Sequence, residues 1–196
     1  MLKRSFKNFK SSKFTLVALV LMLAGTILMS SCSNSAESNG ENSTSNTPVD
    51  PNPEKDTVEV VLYFSDSEAM HLLPEQREVP QNNRSLAEII VDELIKGPDQ
   101  EERLQTIPEE ADLLLAEVVD GIAYVNFSEE ISTEHVGGSA GEIITIYSIV
   151  NTLVELPEIE AVQLLEEGEK KDAIWEHVYT LEPIEADAQM IDPAYR

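Results

Sequence analysis

The 196 residues include 37 Asp and Glu against 13 Lys and Arg, a formal net charge of −24. Such a chain repels polyanions, so charge alone excludes nucleic acid as a partner and excludes lying flat on an anionic bilayer. Its single cysteine excludes an intramolecular disulfide and every cysteine-based metal site.

Residues 1–31 hold Lys3, Arg4, Lys7, Lys10 and Lys13 and no acid, and residues 14–29 form an apolar run that ends in Ser30-Ser31-Cys32. A positive segment, an apolar segment and small residues before a cysteine make an export signal. The ending resembles a bacterial lipobox, with Met29 where leucine is usual, and this implies lipidation of Cys32 as the mature N-terminus. An uncleaved membrane anchor and a simply removed signal peptide are the alternatives. Loss of the five positive charges takes the net charge from −24 to −29 on the rest of the chain. An acid-rich surface serves solubility in exported proteins, and it allows a basic partner without implying one.

Residues 33–56 are Ser, Asn, Glu, Thr, Pro and Gly with almost nothing to bury, so 32–56 reads as a disordered linker. At ~5–6 Å × √n it holds the following domain roughly 25–30 Å from its anchor. The folded part is expected over 57–185, with a loose tail over 186–196. Residues 57–64 alternate Val58, Val60, Leu62 and Phe64 on one face and predict a strand. Residues 66–78 predict a bent hairpin or loop leading into Arg77-Glu78-Val79-Pro80. Residues 83–96 predict a helix with a Ser85/Glu88 capping box, an apolar face of Leu86, Ile89, Ile90 and Leu94, and a stop at Gly97-Pro98. Glu93 lies at the edge of that face and receives no function. Residues 112–119 and 122–127 flank Asp120-Gly121, a strong hairpin signal.

The main core helix is expected over 143–156. Ile143, Ile146, Tyr147, Val150, Leu153 and Val154 share one face, and Ser148, Asn151, Thr152 and Glu155 look the other way. Ser139 and Glu142 predict a second capping box at its start, worth ~0.5–2 kcal/mol. Gly137-x-Ser139-x-Gly141 also matches a serine nucleophile elbow, with Asp172 and His177 following in the order of a hydrolase triad. Residues 131–136 make a poor strand for such an elbow, which favours the cap. The glycines at a helix start also offer amides to an anion, with no Lys or Arg beside them. Pro157 ends the helix, 160–165 predicts a strand, and 177–181 a short last one. The order implies an α+β two-layer sandwich, two helices on one face of a small mixed sheet.

Along this chain stand Val61-Leu62-Tyr63-Phe64, Leu94-Ile95-Lys96-Gly97-Pro98, Thr106-Ile107-Pro108, residues 119–127, Gly137-Gly138-Ser139 and Val150-Asn151-Thr152-Leu153. In this order they resemble the GerMN domain of sporulation and spore-germination proteins. The resemblance implies a non-enzymatic domain, often on a lipoprotein, with a fold similar to ring-building motifs of envelope assemblies. The founding protein has two tandem copies where this chain has one.

Scattered His71, His135 and His177 suggest no metal site, and no cofactor is expected. Membrane attachment through Cys32 and contact with an extracytoplasmic envelope protein or a second copy are the expected partnerships. The contact is expected at a sheet edge, either the end of the 122–127 strand or a short edge strand bearing Trp175, Glu176, Val178 and Tyr179. A small Ser139 hydrolase and a solute- or cation-binding envelope lipoprotein are the alternatives.

Overall fold

Alternating apolar residues from Thr57 form the strand they predict. In the computed structural model, which describes residues 57–196, β1 (Thr57–Ser65) pairs antiparallel with β2 (Leu72–Pro80). The signal segment, Cys32 and the linker lie outside the described residues. Asp66 makes the connecting turn, its carboxylate accepting the amides of Glu68, Met70 and His71 at 2.9–3.2 Å. The 66–78 stretch is thus partly a regular strand. Its charges hid this, because two of them point into a buried ionic cluster. Glu75 accepts the amides of Asp99 and Gln100 at 3.1 and 3.2 Å and pairs with Arg77. Arg77 reaches Glu93 at 3.0 Å and the carbonyl of Gly97 at 3.0 Å. Glu93 is therefore a structural ion-pair residue that ties α1 to β2.

Helix α1 (Leu86–Lys96) starts at the Ser85/Glu88 capping box and stops at Gly97, whose φ of 83° suits a residue without a Cβ. Its first turn begins three residues later than 83. β3 (Leu113–Val119) and β4 (Ile122–Phe127) form the expected hairpin, with Asp120 and Gly121 at φ 50° and 82°. A short helix α2 (Glu130–Thr133) leads to α3 (Gly138–Val154), and β5 (Ala161–Glu166) lies parallel to β4. A two-residue β6 (Ile184–Glu185) pairs with β5. The main sheet, in order β3-β4-β5-β6, is mixed, and β1-β2 forms a separate hairpin. Ala116, Ala123, Val125, Phe127, Val162 and Leu164 bury the helix-facing side of the sheet against residues of α1 and α3. The fold is the expected α+β class.

Helix α3 departs from its predicted single apolar face. Ile143 is exposed, whereas Ile144, Ser148, Ile149, Asn151 and Thr152 are buried. The reason is position: α3 packs against β5 on one side and against the β1–β2 hairpin on the other. Its polar side meets the free backbone edge of β1. Ser148 Oγ donates to the carbonyl of Tyr63 at 2.6 Å, and Thr152 Oγ1 accepts its amide at 2.9 Å. Two hydroxyls do there what a neighbouring strand would do.

Two further expectations are corrected. Residues 177–181 are a series of bends, and the last strand comes later, at β6. The 186–196 tail is anchored, not loose. Asn151 exchanges two 3.0 Å hydrogen bonds with the backbone of Asp187, and Asp192 donates its amide to the carbonyl of Leu72 at 3.0 Å. Met190 and Ile191 pack with Tyr63, Leu72 and Ile144 in a small second core.

Candidate functional site

The loop between α2 and α3 is held from below and shaped by glycine. Ile131 is buried, and its carbonyl accepts the indole Nε1–H of Trp175 at 2.8 Å. His135 sits over Trp175 with ring centroids 5.4 Å apart. Gly137 takes φ 114° to turn into α3, and a Cβ on Gly141 would meet the carbonyl oxygen of Val136 at 2.8 Å. No side chain with a Cβ fits Gly141 without movement of that loop. The Gly-rich stretch is there for backbone geometry.

Ser139 is exposed and does not cap α3, whose N-cap is Gly137 with no side-chain hydrogen bond. Glu142, expected to close the capping box, is buried and turned to a different task. Its carboxylate accepts the amide of His177 at 3.0 Å, that of Glu176 at 3.4 Å, and faces His177 Nδ1 at 2.7 Å. The residues of the supposed triad do not come together. His177 Nδ1 is bound by Glu142, no hydrogen bond joins it to Ser139 or Asp172, and α2 rather than a strand precedes the serine. Glu142 instead pins 174–177 against α3, which seats Trp175 in the core.

The two histidines of this region differ in their protonation. The hydrogen bond and charge of Glu142 hold His177 above the usual 6.5. Burial pushes Glu142 up, but its hydrogen bonds from the ring and amide of His177 and from the amide of Glu176 outweigh this, leaving it below 4.5. Burial pushes His135 below 6.5. Thr145 Oγ1 donates to the carbonyl of Thr106 at 2.6 Å, so it accepts the proton of His135 Nε2 at 2.9 Å. The charge on His177 thus stabilises the fold below 6.5 and ceases to do so as pH rises through its folded pKa. The Glu142 carboxylate stabilises above 4.5 and ceases to do so as pH falls through its folded pKa. The clamp is strongest between the two. His135 acts in the opposite sense to His177: its neutral form favours folding above 6.5, and that contribution disappears on acidification. A proton NMR titration should give His177 a midpoint above 6.5 and His135 one below it. Coincident midpoints would remove both assignments.

Of the expected interaction edge, Trp175 is buried, Val178 packs on the core, and Glu176 and Tyr179 are exposed. No edge strand runs through them. Strand β4 is also no edge, since it lies between β3 and β5. The long edge strand is β3, where, apart from β4, only Ser85 Oγ among the described residues reaches the backbone, at the carbonyl of Ala116 3.5 Å away. Leu114, Leu115, Val118 and Val119 there are 49%, 42%, 37% and 47% exposed. Leu115, Val119, Ile122 and Tyr124 also lie on the outer face of the sheet, which no described helix covers, although the segment around Thr180 buries Gln163 at its β5 side. The signal was present as six apolar residues in a seven-residue strand beside only one charge, Glu117. Their outward placement depends on strand order.

A second concave region lies between residues 104–110, loop 134–137 and the first half of α3, with a volume of about 430 Å³. Ile107 and Ile144 form its buried floor, and Leu104 and Val136 stand exposed at its walls. Among the described residues no group of three potential ligands is placed to hold a metal ion, and no helix is long and apolar enough to cross a membrane.

The fold has solved counterparts. The tandem GerMN domains of the sporulation protein GerM from Bacillus subtilis match at a TM-score of 0.59 and 22% identity, over 72% of this chain and 50% of that one. The first GerMN domain of the same protein matches at 0.55 and 18%, over 68% of this chain and 99% of that one. The chain thus spans half the length of the tandem protein, and about one domain. No curated protein matches it in sequence. Residues 61–172, more than half of the chain, match the family model Germane, described as sporulation and spore germination. With these residues forming the same kind of α+β domain, the chain belongs to the Germane family of sporulation and spore-germination domains.

Proposed function

We propose that the protein is a lipid-anchored, non-catalytic interaction module of the bacterial cell envelope, of the type used in sporulation and germination assemblies. The observation that carries this reading is the β3 edge: an exposed apolar edge strand continuous with a sheet face that no described helix covers. An unpaired apolar edge is a template for a strand from another chain. Family membership supports the same reading, as does a triad that is not assembled. The acidic balance of the chain weighs against a second copy as the occupant and for a less acidic envelope protein.

Photo-crosslinking residues at Leu115 and Val119 in the full-length protein in its membranes should capture an extracytoplasmic protein. The same residue at Tyr179 should not. Cys32→Ser should move the protein from the detergent phase to the aqueous phase in phase partitioning. An unchanged detergent fraction would make the apolar segment, not lipid, the anchor. Failure of Leu115 and Val119 to capture any protein would remove the interaction reading from this edge.

A further inference from the structure

We infer that the cleft between residues 104–110 and the start of α3 receives a lysine- or arginine-bearing apolar segment of a partner protein. This rests on the reading of the domain as a contact module, but concerns a surface separate from β3. The floor, Ile107 and Ile144, is apolar and preformed. Val136, 84% exposed, and Leu104 present apolar surface at the mouth that nothing among the described residues covers. Above them stand Glu109, Glu110 and Glu134, exposed and in no ion pair among the described residues. No Lys or Arg lines the cleft.

His135 adds no positive charge above its depressed pKa, because burial beside Trp175 and Thr145 disfavours its protonated form. An apolar pit under an unopposed negative rim suits a long cationic side chain. Its methylenes lie on Ile107 and Ile144 while its head reaches the carboxylates. The same three carboxylates turn away an anion from the amides at the start of α3, despite the turn made by Gly137. Val136 and Leu104 extend the apolar surface beyond what one side chain fills, which points to a segment rather than a free amine.

The only tryptophan of the chain, Trp175, lies behind the cleft with its ring tilted against that of His135, a cleft-lining residue, so its emission reports on the cleft through His135. Full-length protein in non-ionic detergent is titrated with blocked peptides of sequence Leu-Lys-Val-Lys-Leu, its Glu-for-Lys and norleucine-for-Lys counterparts, and with blocked single lysine. The lysine peptide should change Trp175 emission and bind more weakly as salt is raised. The combined Glu109→Gln, Glu110→Gln, Glu134→Gln variant should bind it about tenfold more weakly, the scale of several exposed charge contacts together. Equal binding by the norleucine or glutamate peptide, or by the combined variant, would overturn the inference. Blocked lysine binding as tightly as the pentapeptide would replace the segment with a free amine and overturn it too. The wild-type salt dependence decides the matter should the combined variant not fold. Absence of peptide binding with retained β3 crosslinks sinks this cleft alone, and the converse sinks the β3 reading alone.

Discussion

Replacing Glu75 by alanine is expected to cost about 3–5 kcal/mol of stability, the range for breaking a buried ion pair from one side. Glu75 is 2% exposed and at the centre of charges from three segments. Its carboxylate accepts the amides of Asp99 and Gln100, pairs with Arg77, and lies 3.9 Å from Arg103 Nε. Both guanidiniums are largely buried, so removing the carboxylate leaves two amides unpaired and Arg103 without its counter-charge, while Arg77 keeps only Glu93, Asp99 and the Gly97 carbonyl. Burial works against the charge on Arg77, but Glu75 and Glu93 hold its pKa above the ordinary value. Chemical denaturation of the full-length protein should show the loss, with a melting temperature lower by roughly 10 °C or more. Arg77→Ala should be similarly costly, and the two changes together should cost less than their sum, because each removes the same contact. A loss below about 1 kcal/mol for Glu75→Ala would mean that water replaces the carboxylate and that the cluster does not tie β2 to α1.

Thr152→Val combined with Ser148→Ala should cost about 2–6 kcal/mol, since each leaves a buried backbone group of Tyr63 unpaired at ~1–3 kcal/mol. Ser148 gives its one proton to the carbonyl of Tyr63, so Thr106 Oγ1 donates the 2.6 Å hydrogen bond between the two hydroxyls. Thr145 continues the chain to the carbonyl of Thr106. Valine matches threonine in shape and lacks only the hydroxyl that accepts the Tyr63 amide, which makes Thr152→Val the cleaner single change. Hydrogen exchange at the Tyr63 amide should quicken in that variant, and Thr152→Ser should restore protection. Unchanged exchange at Tyr63 would show that α3 covers the β1 edge by packing alone. The two experiments address the two faces of one hairpin: the ionic cluster holds β2 to α1, and the hydroxyls hold β1 to α3.

Local rules were enough for the α1 capping box, the Asp120-Gly121 hairpin and the alternation of β1, because each depends on residues within a few positions of one another. They were also enough for the α+β class, which follows from the order of elements. The same rules misread Ser139 and Glu142. Spacing alone permits a capping box there, but the buried Glu142 carboxylate finds better partners in His177 and the 176–177 amides, thirty-four and thirty-five positions away. Periodicity gave α3 one apolar face, whereas a helix between a sheet and a hairpin is buried on both sides. Its Ser148 and Thr152 are inside because a strand edge needs hydrogen-bonding partners there. Glu75 and Arg77 looked like loop residues for a related reason: burial of a charge is set by the partners that folding brings to it, and theirs come from α1 and the 99–103 segment. The interaction edge followed the same logic. Whether Leu115 or Trp175 meets solvent depends on strand order and on the Trp175 hydrogen bond to Ile131, long-range relations that residue type and spacing do not carry.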